Sequence, residues 1–427
     1  MSRSLLTAAA LALGSQLALS AALAEGEAEP EPAWESRGEI ALEGRVFEGD
    51  QVASTNDEGA GVATRLEAKR FSGALDLKGR VFGRVDHWDP TRSQVFVEEA
   101  WGGTRSGDWS LRVGPQLLTW TATEAFHPAD IINSRNLDSN LEYFEKIGEP
   151  MALGGWSPGG WTVQGLLMPA RLDPYLPQPS SRLSFAPEGV TLGEALWLTR
   201  SGEVTRRNYG LQWGARVARS LEGADVALHL VRHDDRSQPV IVVDPATGAF
   251  HPLYLPVTQL GGTYQHALGG VLLKIESAYR WFELPDAPTV YGPIERSNHG
   301  ILAVGLEYGW SHDSGSESTA LIEGQAVAGA GDAERAALSP FQRDVLVGWR
   351  HAFNDELGRE LLATLVWDLE RTREHLINLS YSQRLSDVWG MKVAARRIHA
   401  PPEGAVPTGL QALHRANQLA LTLTRYF

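Results

Sequence analysis

The chain has 427 residues, a formal net charge of −14, 44 Gly, 14 Trp and no cysteine. The charge argues against a nucleic-acid partner, and the lack of cysteine excludes a disulfide framework, thiolate metal sites and a thiol nucleophile. A mean hydropathy of −0.20 suits either a soluble protein or a membrane barrel whose apolar residues are dispersed by alternation.

Residues 1–24 combine Arg3, a Leu- and Ala-rich stretch and Ala22-Leu23-Ala24, the pattern of a cleaved secretory signal. An acidic segment, 25–38, follows with the run EGEAEPEPAWE, and the remainder, 39–427, is expected to form one domain. After the signal no apolar run approaches the roughly 20 residues of a helical membrane span.

The rest of the chain alternates. In LDLKGRVFGRVDH (75–87), Leu75, Leu77, Val81 and Val85 share one face, and Asp76, Lys78, Arg80, Arg84 and Asp86 share the other. The pattern recurs in YGLQWGARV (209–217), VLLKIESAYRW (271–281), LLATLVWDLE (361–370) and LINLSYSQR (376–384). Soluble sandwiches alternate too, but over strands of about five or six residues. Eighteen segments fit, near 39–47, 62–71, 74–87, 93–102, 109–119, 150–157, 160–168, 207–218, 223–232, 258–267, 270–282, 298–310, 318–328, 341–352, 359–370, 373–384, 388–398 and 415–427. Short connections (72–73, 157–159, 220–223, 267–268, 385–387) trade places with long ones (120–149, 169–206, 233–257, 283–297, 399–414). This spacing predicts an all-β fold, a transmembrane antiparallel up-and-down barrel of about 18 strands with short periplasmic turns and long outer loops. The tight connections 88–92 and 371–372 fall among the long ones and leave 16 strands as the alternative.

Phe71, Trp101, Trp109, Trp156, Trp161, Trp310, Phe353, Trp389 and Phe427 sit beside short connections, as an inner-interface aromatic girdle would. The last segment, LALTLTRYF, repeats Leu419, Leu421 and Leu423 at every second position, ends on Phe427 and would close against GEIALEGRVF (38–47). It resembles the terminal signal read by the barrel-assembly machinery of Gram-negative bacteria, with Arg425 where an aromatic is common.

A family resemblance rests on WSLRVGPQLLTWTATEAFHPADIINSRNLDS (109–139). Its Arg112, Gly114, Gln116, Trp120, Asp130 and Asn133 are similar to a motif of alginate-export-like and related uncharacterised outer-membrane porin families, with departures at Pro115 and Asn133-Ser134. The resemblance implies a large monomeric channel or an export barrel.

Face assignment along the strands makes Arg65, Lys69, Lys78, Arg80, Arg84, Arg112, Gln116, Arg216, Lys274, Glu276, Arg280, Arg350, Asp368, Glu370, Arg384, Lys392 and Arg396 the expected pore lining. Bases concentrate near 65–84 and acids near 360–374, which leaves two readings open, a transverse field across a lumen or local pairing between strands. The 120–149 connection holds Asp130, Asn133, Arg135 and Asp138 as constriction candidates. Its apolar Phe126, Ile131, Ile132, Leu137, Leu141 and Phe144 suit a loop folded inward better than a solvated one. The 169–206 connection, with Pro169, Pro174, Pro177, Pro179 and Pro187, reads instead as an extended cover.

Gly155-Trp156-Ser157-Pro158-Gly159 matches G-x-S-x-G, but Pro158 lacks the N–H that would form the oxyanion hole. His229 and His233 lie four apart on a strand, about 13 Å, too far to share a metal. No catalysis, cofactor or metal is therefore expected. The reading is a passive outer-membrane channel of a Gram-negative bacterium for small polar or charged solutes. Its expected partners are outer-membrane lipid, the barrel-assembly machinery and a small polar solute or oligosaccharide. An anionic-polysaccharide exporter and a plugged barrel with an adhesin or structural role are the alternatives.

Overall fold

Period-two alternation over long segments is satisfied by strands whose two faces meet different media. The computed structural model describes residues 33–49, 55–72, 74–137, 145–186, 189–401 and 407–427; the expected signal peptide lies outside them. Eighteen long strands run in order: β1 (Glu35–Phe47), β2 (Glu58–Phe71), β3 (Asp76–Asp86), β4 (Gln94–Ser106), β5 (Trp109–Gln116), β6 (Glu149–Trp156), β7 (Trp161–Ala170), β8 (Tyr209–Leu221) and β9 (Ala224–Asp234). Then come β10 (Pro256–Leu268), β11 (Val271–Phe282), β12 (His299–Ser311), β13 (Glu317–Ala328), β14 (Arg343–Ala352), β15 (Glu360–Asp368), β16 (His375–Arg384), β17 (Trp389–His399) and β18 (Gln418–Tyr426). Each pairs antiparallel with its sequence neighbours, and β18 pairs with β1 to close an 18-stranded barrel.

The 16-strand alternative fails because 87–93 and 369–374 are true connections between paired strands. Two boundaries also move. The first strand starts at Glu35, so residues 35–38 belong to the wall rather than to an acidic leader. Ala267 and Leu268 stay in β10, and the turn falls on Gly269-Gly270, where Gly269 takes a φ of 64° that an L side chain resists.

Closure is local chemistry at both chain ends. The Gly38 N–H donates to the Phe427 carbonyl at 2.8 Å and the Phe427 N–H to the Gly38 carbonyl at 3.0 Å. A Cβ on Gly38 would lie 2.5 Å from the Phe427 ring, so only glycine lets the terminal aromatic lie on the backbone of β1. Leu419 and Leu421 are exposed on the outer face of the seam.

Between the strand ends that outer face is mainly apolar. On β2, Val62 and Leu66 are each 45% exposed while Ala63 and Glu67, on the opposite face, are each 6% exposed. An exposed apolar face of this extent needs a non-aqueous covering, and a closed barrel with no unpaired edge can sit in hydrocarbon. Trp109 and Trp156 stack at 5.6 Å on this face beside the short turns, with Trp161, Trp310, Trp389 and Phe427 also exposed there.

Trp101 departs from the expected girdle and is buried. The cause is a bulge: Arg80 of β3 pairs with Glu99, and Val81 with Val97, leaving Glu98 as the extra residue. Facing inverts there, so Val95 and Val97 are exposed outside while Glu98, Glu99 and Trp101 are all buried.

At the long-loop end, residues 196–198, 204–205, 240–243 and 250–254 form a separate four-stranded sheet. The Pro-rich connection after β7 thus carries strands of its own. Leu196, Leu198, Val242, Leu253, Leu255 and Ile294 pack beneath that sheet.

Candidate functional site: an inward loop inside the barrel

Between β5 and β6, the described residues 117–137 and 145–148 depart from the wall after a glycine and a proline. Gly114 has φ 128°, and a Cβ there would meet the Ala100 carbonyl oxygen at 2.2 Å. Ladder pairing between β4 and β5 stops at Val113. The returning chain repairs the gap, because the Gly148 N–H donates to the Val97 carbonyl at 3.0 Å.

Asn133 fastens the base of the loop. Its Oδ1 accepts from the Leu118 N–H at 2.8 Å, and its Nδ2 donates to the carbonyls of Gln116 and Ile147 at 2.8 and 2.9 Å. Asp130 receives Arg135 and Lys146, each at 2.7 Å. Burial pushes the Lys146 ammonium below its ordinary pKa, against the pull of Asp130. Burial likewise pushes the Glu145 carboxyl up, opposed by Arg84 and Arg65. Asp138 lies outside the described residues.

Two strand carboxylates hold the far part of the loop. Glu276 of β11 accepts from the Ala122 and Thr123 N–H groups at 2.6 and 2.9 Å, the Thr123 hydroxyl at 2.6 Å and the Ala129 N–H at 3.3 Å. Glu323 of β13 accepts from the N–H groups of Glu124, Ala125 and Phe126 at 2.8, 3.1 and 2.7 Å. Both glutamates are fully buried, so the loop backbone replaces water around each charge. Lys274 reaches the loop through an ion pair with Glu124.

Apolar contacts complete the crossing. Leu118, Trp120, Ile131 and Ile132 pack on the inward Met151, Leu153, Leu166, Met168 and Val231 of β6, β7 and β9. Phe126 joins Leu346, Val366, Leu376 and Ile398 of β14 to β17, together with Leu183, Leu410 and Leu413 from other long connections. Starting from β5, residues 118–132 therefore lie in the barrel interior and contact the far wall.

The charges expected on the inner face fall into groups. On β1 to β4 they are paired: Arg65 with Glu39, Glu98 and Glu145 at 2.7, 2.9 and 3.2 Å, Arg80 with Glu98 at 2.7 Å, and Arg84 with Glu43 at 3.0 Å. Lys78 pairs with Glu99 and Lys69 with Glu35. Local pairing, not a segregated basic wall, is what these strands build. Glu276, Arg280, Asp368 and Arg396 face inward but are buried. Arg280 binds Asp235 at 3.1 Å, and the Arg396 Nε donates to the Ala416 carbonyl at 3.0 Å, both in long connections. Glu370 is not on the wall at all; β15 ends at Asp368, and Glu370 pairs with Arg335 and Arg343 above it. Gln116 is buried and donates to the Met151 carbonyl at 3.2 Å. Arg350 stands 4.0 Å from Glu360.

Arg112 and Arg216 lie over the rings of Trp101 and Trp120 at 5.2 and 5.7 Å, and Arg384 and Lys392 are exposed. Glu98, Glu99 and Glu145 complete this interior and were not among the expected lining residues. The bulge was signalled only by the shift from Val95-x-Val97 to Glu99-x-Trp101, which breaks alternation. His229 packs on Trp120 and bonds Gln259, and His233 bonds the Asp234 carbonyl. Among the described residues no group of three or more His, Cys, Asp or Glu could hold a metal. Ser157 lies in the tight turn between β6 and β7 rather than on a strand-to-helix elbow.

No protein-family model matches the sequence, and no curated protein matches it significantly. Solved structures do share the architecture. Acinetobacter baumannii OccAB1 aligns over 92% of this chain and 96% of its own at 8% identity, with a TM-score of 0.54. The fold resembles that of Gram-negative outer-membrane porins. Pseudomonas aeruginosa OccK3 (OpdO) aligns over 92% of this chain and 96% of its own at 13% identity and TM-score 0.51. Pseudomonas aeruginosa OccD3 (OpdP) aligns over 93% and 92% at 10% identity and TM-score 0.51. At these identities the shared property is the fold.

Proposed function

We propose that the chain is an outer-membrane channel for passive diffusion of small polar or charged solutes, narrowed by residues 117–137. The observation that carries the reading is the in-folded segment latched to Glu276 and Glu323 within a closed barrel. A loop fixed across a barrel reduces an aqueous lumen to a passage of solute size and sets the groups that a solute meets.

The charge left over after pairing gives the passage a sign. Among the described inner-face residues that are not buried, Arg45, Arg112, Arg216, Arg384 and Lys392 have no carboxylate within ion-pair distance, against Asp225 and Glu317 without a cation. Unpaired bases outnumber unpaired acids, so anions are favoured over cations. Export of an anionic polysaccharide would call for a continuous basic stripe, and the neutralised bases of β2 and β3 lend it no support.

Planar-bilayer recording across a salt gradient tests this. The expected result is a small steady conductance with a reversal potential of the anion-selective sign, moved toward zero by the double substitution Arg384→Glu, Lys392→Glu. A folded sample without conductance would overturn the channel reading and favour a plugged barrel.

A further inference from the structure

On the outer wall, at the short-turn end of β12 to β14, two histidines converge on one serine. Outward rows run through Tyr308 and Trp310 of β12, Ile322 of β13, and Val347 and Trp349 of β14, all exposed. Ser318 and His351 continue the rows of β13 and β14, and register places Ser318 beside both Trp310 and His351. His312 lies just past the end of β12, where its N–H donates to the Ser316 carbonyl at 2.8 Å and its carbonyl accepts from the Gly315 N–H at 2.9 Å. That turn takes Gly315 at a φ of 83° and folds the imidazole back over Ser318.

The Ser318 hydroxyl lies 2.9 Å from His312 Nε2 and 2.9 Å from His351 Nδ1. A hydroxyl has one proton, so it donates to one ring nitrogen and accepts an N–H from the other. Both nitrogens therefore aim at one point, from rings whose centroids are 5.4 Å apart. Aromatic neighbours hold the rings in that attitude. Trp349 stacks on His351 at 5.6 Å, Phe353 meets it edge-on at 4.7 Å, and Trp310 meets His312 edge-on at 6.1 Å. Ser318 is 2% exposed beneath them while His312 is exposed, so the point of convergence is reached from the His312 side.

We propose that His312 and His351 bind one divalent transition-metal ion of the imidazole-preferring class, zinc or copper, between their two converging nitrogens. A metal–imidazole bond is about 2.0–2.1 Å, shorter than the present contacts to the hydroxyl. A turn of the Ser318 side chain and a small rotation of each ring bring both nitrogens to a shared ion. Imidazole pairs select zinc or copper over calcium and magnesium, which take oxygen ligands. With two histidines and no third strong ligand, the remaining positions go to water, which makes the site open and exchangeable. An ion there joins β12 to β14 across β13. It lies on the outer wall, so the inference is independent of conduction.

Electron paramagnetic resonance of the full chain in detergent, stripped with a chelator and titrated with Cu²⁺, tests it. Wild type should bind one copper ion whose spectrum shows coupling to two ring nitrogens, a measurement that needs no variant. His312→Ala and His351→Ala should each lose the two-nitrogen signature. Each should weaken binding by more than the roughly tenfold that follows loss of a residue merely bonded to a ligand. Ser318→Ala keeps both rings and should keep the signature, which separates a metal site from a hydrogen-bonded triad centred on the hydroxyl. A second histidine pair, His375 with His399 at 5.1 Å between centroids, is the internal control, and His375→Ala should leave the signature as in wild type. Zn²⁺ should displace the copper. All variants should keep the heat-modifiable gel mobility of a folded barrel. A wild-type spectrum without two-nitrogen coupling would overturn the proposal, as would a signature lost in His375→Ala and kept in His312→Ala and His351→Ala.

Discussion

The inner face of the barrel is built from opposite chemistries on two sides. Along β1 to β4 it is a lattice of carboxylates and guanidinium groups, with Arg65 alone meeting Glu39, Glu98 and Glu145. Along β14 to β17 it presents Leu346, Val366, Leu376 and Ile398, and connections from three other parts of the chain pack on them. The difference teaches why the interior is filled unequally. Apolar residues on an inner wall capture loops by burying area, whereas paired charges already satisfy one another and gain little from a further covering. Glu276 and Glu323 link the two regimes, as buried charges whose partners are loop backbone.

The largest expected effect comes from breaking that link. Glu276→Ala together with Glu323→Ala removes both latches and leaves the N–H donors of 122–129 unpaired at about 1–3 kcal/mol each. Single-channel conductance should rise severalfold with added flicker; an unchanged conductance would show that the loop does not bound the passage.

The two walls can then be compared directly. Leu376→Ala should destabilise the protein by about 2–5 kcal/mol through the cavity it leaves. Arg65→Ala together with Arg80→Ala should cost a similar amount by stranding the buried Glu98, about 3–5 kcal/mol. Thermal unfolding in detergent at low and high salt separates them, because only the second cost should respond to ionic strength. Equal salt responses would mean that the charge lattice does not stabilise its wall.

The smallest effect belongs to the outer face. Trp109→Ala removes a stacked pair with Trp156 at the short-turn interface, at about 0.5–1.5 kcal/mol beyond the lost area. Detergent unfolding should register that shift while the conductance stays as in wild type.

Much of the barrel was legible without coordinates. Strand period is a local property, so Leu75 to Val85 reveal both their strand and its two environments, and terminal Leu419, Leu421, Leu423 and Phe427 reveal a closing edge. In-folding of the loop was legible only as surplus apolar residues such as Phe126 and Ile132. Its latches were not, since Glu276 and Glu323 lie far from it in sequence and look like any inward carboxylate.

The sequence by itself determined the all-β class, the strand count to within one hairpin and the outward row, because alternation and turn residues act over a few neighbours. Tertiary structure alone decided that Glu98 bulges inward, that Trp101 is buried, that Glu370 sits above the wall and that the bases of 65–84 are neutralised. Each of these depends on which strand lies alongside in space, and hydrogen-bond register and charge pairing are set between segments remote in the chain.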